Sequence, residues 1–319
     1  MDSNALLEKW NSLAAAGSGY KSLRIDGVCI PDLFVAVHDS VTRCLILKLP
    51  DSYRVDFQPS KKANLSLDLF PDMKWIVLKL LDNQFADLFD DLILSLYNKL
   101  WDKTNAAEYC PELISTFYKW SEFFEERIGS QLSEEMVRGI FGELIILHGL
   151  IASSYSSGMN SLLESWNGPF KNRHDFILPA KDIEVKTKDA LAADVTISSE
   201  YQLQAEPGKM LELSVVNISR DASGKTLKEL ASEIRTDIVV KMADFTIFLR
   251  ALSQYGLTFN NLSGYENYRY SLIAIDTYDC TIQDFPKLTQ SNLPPAVTRI
   301  RYNLSTITLD RFLLSTQTF

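Results

Sequence analysis

The stretch that most constrains the fold of this chain is residues 166–188, WNGPFKNRHDFILPAKDIEVKTK. Its second half predicts a β-hairpin, in which residues 174–177 form one short strand and residues 183–187 form the return strand. Residues 178–182, between them, contain a proline and other turn-forming residues. We therefore expect two antiparallel strands joined by a short turn in the middle of the chain.

The predicted hairpin carries two acids and a lysine. In a strand, successive side chains point to opposite faces, so Glu184 and Lys186 share one face and the intervening Val185 takes the other. We expect the returning chain to bring Asp175 towards the same edge. Two carboxylates and an ammonium then meet at one point, a combination that a purely structural strand has little reason to use.

The same three residues have the spacing D-x8-E-x-K, which resembles the core of the PD-(D/E)xK nuclease superfamily. An E-x-K triplet alone occurs by chance in most proteins of this size, and even the longer pattern is compatible with a surface salt bridge. The wider string resembles a narrower group, the poorly characterised bacterial "PD-(D/E)xK motif protein" family, often encoded beside restriction-modification and phage-defence genes. Its segments are G-x-x-GEL at residues 139–144, W-x-GP, HDF, IEVK and ISSE-x-QL.

This resemblance covers residues 130–310 well and the N-terminal third only loosely. It implies an α/β chain, α+β overall, with a restriction-endonuclease-like core whose mixed central sheet is flanked by helices. With the local patterns, it divides the chain into an N-terminal antiparallel β-rich module of residues 1–82, linking helices in residues 83–130 and a nuclease-like domain of residues 131–319.

The resemblance also implies a metal site. Asp175 and Glu184 would be ligands of Mg²⁺, with Mn²⁺ as a substitute, and the Val185 carbonyl would be an extra ligand. Mg²⁺ prefers oxygen and is usually held by one or two carboxylates together with waters and phosphate. Glu143 matches an acid that a helix before the motif often adds to the metal cluster, directly or through water. The alternative for Glu143 is a boundary glutamate on the flank of that helix.

Two catalytic roles complete the resemblance. Lys186, beside the carboxylates and the metal, would orient or deprotonate the attacking water and stabilise developing charge. Gln202 matches a glutamine often found on the helix after the E-x-K strand, where it hydrogen-bonds near the phosphate or the metal water. We expect residues 198–200 to cap that helix. Spacing alone does not single out Gln202.

The N-terminal module is predicted from closely spaced strands with short connections, which favour an antiparallel sheet. It contains no catalytic pattern, and we interpret it as a partner-binding or target-recognition module. A short helix is predicted over residues 5–16, an amphipathic helix from Gln84 onward, and another over residues 111–127. The predicted strands are residues 33–37, 43–49, 65–69 and 74–80.

The nuclease-like domain is predicted to begin with a helix that has Ser133 as its N-cap and two acids in its first turn. Gly139 and Gly142 cost stability inside a helix, and their presence indicates a close backbone approach by another element. Trp166 is interpreted as a packing anchor. The remaining predicted elements are strands at residues 194–197, 210–218, 268–276 and 298–304 and a mainly helical stretch at residues 227–253.

The net charge of −9 argues against a protein that simply coats DNA, and its distribution is uneven. Basic against acidic residues number 15 to 23 in residues 1–170, 11 to 12 in residues 171–241 and 6 to 6 in residues 242–319. Bound divalent metal would offset the acids of the site and leave nearby basic residues to face phosphate, namely Lys171, Arg173, Lys181, Lys188 and Lys209. No strong basic patch is present, so we expect tight DNA binding to need a partner protein.

Cysteine usage and hydropathy indicate the compartment. The four cysteines are far apart and form no C-x-x-C pair, so a zinc site or disulfide framework is not expected and a reducing cytosol fits. The first residues lack the pattern of a signal peptide. The most apolar stretch, residues 139–152, is interrupted by Glu143 and His148 and looks too short to span a bilayer. We expect a soluble cytoplasmic protein without a membrane partner.

These patterns together predict a metal-dependent DNA endonuclease that hydrolyses phosphodiester bonds in restriction or anti-phage defence. Double-strand cutting by such folds commonly uses two copies, so a homodimer is one expectation. The alternative is a non-catalytic or partner-activated subunit of a multi-protein defence complex. In that case the acidic N-terminal half would dock onto an ATPase, a helicase or a methyltransferase.

Overall fold

The computed structural model describes residues 1–13, 18–125, 131–170 and 172–319. The chain divides into two compact units, Met1–Arg127 and Ile128–Phe319. Each unit has its own sheet and its own buried apolar residues.

The first unit is built on six strands, β1 (Tyr20–Arg24), β2 (Asp32–His38), β3 (Thr42–Lys48), β4 (Ser60–Lys62), β5 (Leu65–Phe70) and β6 (Trp75–Leu80). They form one antiparallel sheet in the order β1-β2-β3-β6-β5-β4. The predicted antiparallel sheet and its four predicted strands are confirmed. The edge strands β1 and β4 escaped prediction because their side chains are mostly exposed and lack an alternating apolar pattern.

Three helices complete the first unit, α1 (Ser3–Leu13), α2 (Ala86–Leu100) and α3 (Ala106–Ser121). Residues 14–16 and 126–127 of the predicted helices lie outside the described residues. Helix α3 begins earlier than predicted because the Asn105 side chain caps it by accepting a hydrogen bond from the Ala107 amide at 3.0 Å. Pro111, which sequence reasoning placed at the start, lies inside the helix.

The second unit contains seven strands, β7 (Phe176–Ile177), β8 (Lys181–Asp189), β9 (Asp194–Ile197), β10 (Met210–Lys225), β11 (Tyr270–Asp279), β12 (Tyr302–Ser305) and β13 (Leu313–Thr318). Five of them form the central sheet in the order β13-β11-β10-β8-β7. Strands β8 and β10 are parallel and the other pairs are antiparallel. The predicted mixed central sheet is therefore confirmed, and β9 and β12 form a separate two-stranded sheet.

The helices of the second unit are α4 (Glu134–Ser153), α5 (Met159–Glu164), α6 (Leu227–Val240) and α7 (Phe245–Gln254). The Ser133 side chain caps α4 by accepting a hydrogen bond from the Met136 amide at 3.3 Å, as predicted. A Cβ added at Gly142 would lie 1.8 Å from Thr187 Oγ1, so α4 approaches β8 as closely as glycine allows. At Gly139 the same atom would meet open space, so only one of the two glycines marks a close approach.

The opposite face of the sheet packs, at β10, on an apolar cluster. Leu211, Leu213 and Val215 from β10 contact Val195 and Ile197 from β9 within this cluster. The site-bearing strands therefore lie between α4 and the layer formed by β9 and β12.

Helix α4 is, within the described part of the chain, the one helix long and apolar enough to cross a membrane by length and composition. The helix extends beyond the predicted apolar stretch, residues 139–152, and has 20 residues. Its most apolar window is 44% buried, it packs on β8 through Gly142, and it carries the acid Glu143 into the interior. Through these contacts α4 packs in the core of its unit.

The predicted helix around Gln202 was wrong. Residues 199–203 form a turn, in which the Gln202 side chain accepts a hydrogen bond from the Ser198 amide at 2.7 Å. The segment before β10 is short and ends in Pro207 and Gly208. A helix there would have too few residues to repay the cost of nucleation.

Candidate active site

Asp175 lies immediately before the edge strand β7. Strand β7 pairs with β8 at two residue pairs only, which leaves the edge of β8 uncovered from Glu184 onward. There Asp175 Oδ2 accepts a hydrogen bond from the Val185 amide at 2.7 Å. The Asp175 carbonyl accepts from the amides of Asn167 and Gly168 at 2.7 and 3.0 Å. The aspartate is thus fixed at both its backbone and one carboxylate oxygen, and Oδ1 is left for a further partner.

Glu184 and Lys186 lie on one face of β8, as the alternation of a strand requires. Lys186 Nζ donates a hydrogen bond to Glu184 Oε1 at 2.7 Å. The Glu184 side chain is 1% exposed and the Lys186 side chain 16% exposed. Lys186 therefore lies on the open side of this ion pair and Glu184 behind it.

Glu143, from the middle of α4, is held by two aromatic side chains. Trp166 Nε1 donates to Glu143 Oε2 at 2.7 Å, and the Tyr255 hydroxyl lies 2.9 Å from both carboxylate oxygens. A Cβ at Gly168 would lie 2.5 Å from Glu143 Oε2 and 2.9 Å from Asp175 Oδ1. Both carboxylates therefore border a space that only a glycine at position 168 leaves open.

Burial raises the pKa of all three carboxyl groups. For Glu184, burial and then the charge of Asp175 raise the pKa to about 8, although Lys186 opposes the shift. Burial and then Asp175 raise the pKa of Glu143 well above its ordinary range, against the hydrogen bonds from Trp166 and Tyr255. Burial also raises the pKa of Asp175, although Lys186 and the Val185 amide oppose it. The cluster is therefore short of positive charge.

The lysine in this cluster is strongly held in its charged form. Burial lowers the pKa of Lys186, but the charges of Glu184 and Asp175 outweigh burial and raise the pKa above its ordinary value. As long as Lys186 is the main counter-charge to these acids, it keeps its proton at neutral pH.

A groove of about 390 Å³ opens beside the cluster. Four of the five predicted catalytic residues line it, and these are Glu143, Asp175, Lys186 and Gln202. The fifth, Glu184, lies behind Lys186, as described above. The groove therefore gives a substrate access to Lys186 and to two of the three carboxylates.

The donor set fits a divalent cation. Within the described ranges, no three His, Cys, Asp or Glu side chains are arranged as a ready-made metal cluster. Mg²⁺ does not require one, because it is usually held by one or two carboxylates plus waters and phosphate. Asp175 Oδ1 and Glu143 Oε2 face one space, the Val185 carbonyl lies at the uncovered edge, and the acids outnumber the ammonium. Glu184 joins this set only when Lys186 releases it.

A second buried ion pair fixes the start of the hairpin. His174 Nδ1 lies 3.1 Å from Asp182 Oδ2, and Lys209 Nζ lies 2.5 Å from Asp182 Oδ1. These side chains tie the segment before β7 to the first residues of β8 and to the segment before β10. Because His174 precedes Asp175, the network helps to position the aspartate.

Three lysines expected to face phosphate are used inside the protein. Lys209 pairs with Asp182, Lys181 Nζ donates to Glu212 Oε2 at 2.6 Å, and Lys188 Nζ donates to the Ala192 carbonyl at 2.6 Å. The expectation that these three are free was wrong, because Asp182 and Glu212 are buried acids that need a donor and Lys188 is bound to a backbone carbonyl. Lys171 lies outside the described residues, and Arg173 is exposed.

Sequence reasoning assigned no role to Tyr255. It lies 112 residues from Glu143, at the end of α7, and no spacing connects the two. Trp166 was predicted as a packing anchor, and it is 1% exposed and stacks on Phe248. Its indole also holds Glu143, which the packing interpretation did not include. The sequence signal for this role was the W-x-GP string, because it joins Trp166 to Gly168, the glycine that borders both carboxylates.

A mixed sheet with an acid before one strand, an E-x-K pair on the next and a further acid from the preceding helix defines a PD-(D/E)xK type of fold and site. The family model described as "Putative PD-(D/E)XK family member, (DUF4420)" matches residues 6–306, and the chain belongs to this family. No curated protein and no solved structure matches the chain. The superfamily resemblance found in the sequence is confirmed, and the family match also includes most of the first unit.

Proposed function

We propose that the protein is a metal-dependent nuclease that hydrolyses phosphodiester bonds in DNA. One observation carries the proposal: the buried Glu184, the half-buried Glu143 and Asp175, and Lys186 converge beside an open groove at the uncovered edge of β8. A structural ion pair needs one acid for each base, whereas this cluster concentrates negative charge that a bound cation would offset. Proteins of the PD-(D/E)xK superfamily are usually nucleases, which supports the same conclusion.

In this proposal Asp175, Glu143, Glu184 and the Val185 carbonyl hold Mg²⁺, for which Mn²⁺ substitutes. When bound, the divalent cation supplies positive charge that offsets the negative charge developing on the phosphate. The hydrogen bonds from Trp166 and Tyr255 keep Glu143 oriented towards Asp175. The Val185 amide orients Asp175 with Oδ1 directed away from the strand.

Lys186 is the residue that acts on the attacking water. Its raised pKa comes from Glu184 and Asp175, so a cation that offset those charges would lower the pKa and let the ammonium lose its proton to solvent. The amine then orients a water in the groove and takes its proton. Arginine cannot replace it, since a guanidinium does not give up its proton at working pH. Gln202, which also lines the groove, offers its side-chain amide to the phosphate.

The charge of the groove favours a second candidate function. The lining residues include five acids and three basic residues, so the groove alone attracts DNA weakly. In this alternative the protein is a cytoplasmic, partner-activated subunit of a restriction or anti-phage defence complex, bound to an ATPase, a helicase or a methyltransferase. Cleavage that appears only after a partner is added distinguishes this role from an independent or homodimeric nuclease.

The test is cleavage of supercoiled plasmid by the purified protein with Mg²⁺, with Mn²⁺ and with a chelator. We expect nicked or linear product only with metal, and none from Lys186→Ala or Lys186→Arg. Thermal melting of each variant checks that the fold is intact. Undiminished cleavage by folded Lys186→Ala protein would remove Lys186 from the mechanism.

A further inference from the structure

The groove walls supply little electrostatic affinity for a nucleic acid. Its basic lining residues are Arg138, Lys186 and Lys188, and its acidic ones are Glu135, Glu143, Asp175, Asp189 and Asp194. Lys186 and Lys188 are also engaged with partners within the protein. Phosphate contacts normally dominate the affinity of nucleic-acid-binding proteins, so a strand in this groove needs another source of binding energy.

An arginine and a tyrosine at the rim of the groove provide a further source of binding energy for a nucleic acid. Arg173 is two residues before Asp175, and Tyr201 is next to Gln202, and both Asp175 and Gln202 line the groove. The Arg173 guanidinium carbon lies 5.9 Å from the centroid of the Tyr201 ring. The two side chains, here called the rim pair, therefore meet beside residues that line the groove. Arg173 is exposed, and Tyr201 is 38% exposed.

The chemistry of the rim pair suits a single nucleotide. A guanidinium binds phosphate oxygens with two parallel hydrogen bonds, and a tyrosine ring stacks on the face of any base. Stacking does not depend on net charge, so it works beside an acidic groove where phosphate attraction is weak. The bases of a duplex already stack on one another, so only an unpaired base can use the ring.

We propose that the rim pair binds an unpaired nucleotide next to the cleavage site and that the substrate is single-stranded DNA or the single-stranded part of a branched DNA. This inference rests on the proposed function, since the nuclease cluster is what brings a DNA strand into the groove. It adds the substrate class, which the cluster alone does not define.

The test is fluorescence anisotropy with a labelled single-stranded oligonucleotide and with the duplex of the same sequence, in Ca²⁺, with a gel to check that the DNA stays intact. We expect the wild-type protein to bind the single strand more tightly. Tyr201→Ala should weaken single-strand binding about tenfold or more, and Tyr201→Phe should keep most of it. Arg173→Ala should weaken binding and reduce the salt slope by about 0.7.

Tyr155→Ala is the matched control, because Tyr155 is 88% exposed and follows the C-terminal end of α4, whereas the groove is lined by the N-terminal half of α4. We expect it to bind like the wild type. Wild-type affinity in Tyr201→Ala, or a duplex bound as tightly as the single strand, overturns the inference and makes the rim pair a surface contact only. Cleavage of the single-stranded oligonucleotide in Mg²⁺ or Mn²⁺ separates the two proposals. Cleavage with unaffected Tyr201→Ala binding refutes the rim pair alone, and Tyr201-dependent binding without cleavage refutes the nuclease alone.

Discussion

The two units bury ionisable side chains in different ways. In the first unit, Asp90 accepts hydrogen bonds from Trp10 at 2.8 Å and from Arg43 at 3.0 Å, so one acid has two dedicated donors. In the second unit, Glu143, Asp175 and Glu184 share one charged partner, Lys186, and the two donors to Glu143, Trp166 and Tyr255, are neutral. The first arrangement stabilises the fold, and the second leaves an excess of negative charge that a bound cation can offset. Both arrangements contain ionisable groups within the fold. What separates a structural network from a functional site is whether each acid has a base of its own.

The largest predicted difference separates the two aspartates. Asp175→Ala should reduce metal-dependent DNA cleavage about a thousandfold or more, because it removes a metal ligand and part of the field around Lys186. Asp90→Ala should leave cleavage unchanged but cost about 2 kcal/mol of stability through its lost charged hydrogen bonds. Plasmid cleavage and urea unfolding measure the two effects. Equal loss of cleavage in both folded variants would contradict the distinction between Asp90 as a structural acid and Asp175 as a site acid.

Tyr255→Phe tests the support of the cluster. It removes the hydroxyl that lies 2.9 Å from both oxygens of Glu143. We expect about a 10- to 100-fold loss in Mn²⁺ affinity or cleavage rate, as for other groups that orient ligands. The control is Tyr118→Phe in the first unit, whose side chain is 49% exposed. Mn²⁺ affinity equal to wild type in Tyr255→Phe would show that Glu143 needs no such support.

The two glycines of α4 should respond with opposite signs. Gly142→Ala places a methyl group against Thr187, a stiff β-branched residue, and should cost about 2 kcal/mol. Gly139→Ala meets open space and should stabilise the helix by about 1 kcal/mol. Denaturant unfolding of both variants measures the two changes in the free energy of unfolding. A similar loss in both would contradict the close packing of α4 on β8 at Gly142 alone.

The smallest predicted effect is a pH dependence of stability in the metal-free protein. The pKa of Glu184 is about 8 in the folded state against an ordinary value of 4.5. Between these values the folded state keeps a proton that the unfolded state has lost, so stability falls as pH rises through this window. Glu184→Gln should reduce the slope of stability against pH without removing it, since the raised pKa values of Asp175 and Glu143 contribute with the same sign. Urea titrations in chelator at several pH values measure it, and an unchanged slope in Glu184→Gln would contradict the assignment.

Much of the second unit could be predicted because its signals are local. The hairpin followed from a period-two pattern and a turn, and the N-cap of α4 from Ser133 and two acids. The ion pair between Glu184 and Lys186 followed from strand alternation. Each signal lies within a few residues of the feature that it predicts.

The remaining features depend on contacts between distant segments. The predicted helix at Gln202 was wrong because a side-chain hydrogen bond closes a turn there. Tyr255 meets Glu143 only after α4 and α7 have packed in one unit. Lys181 and Lys209 looked available for phosphate, but they pair with Glu212 and Asp182, which only the folded sheet brings near them.

The central claim is that the carboxylates around Asp175 hold a divalent cation. Calorimetric titration of Mn²⁺ into the wild-type protein and into Asp175→Asn tests it most directly, because asparagine keeps the shape of the side chain and removes its charge. The account predicts saturable Mn²⁺ binding by the wild type, which Asp175→Asn loses while it melts at a similar temperature. Equal Mn²⁺ binding by the two proteins would contradict the account.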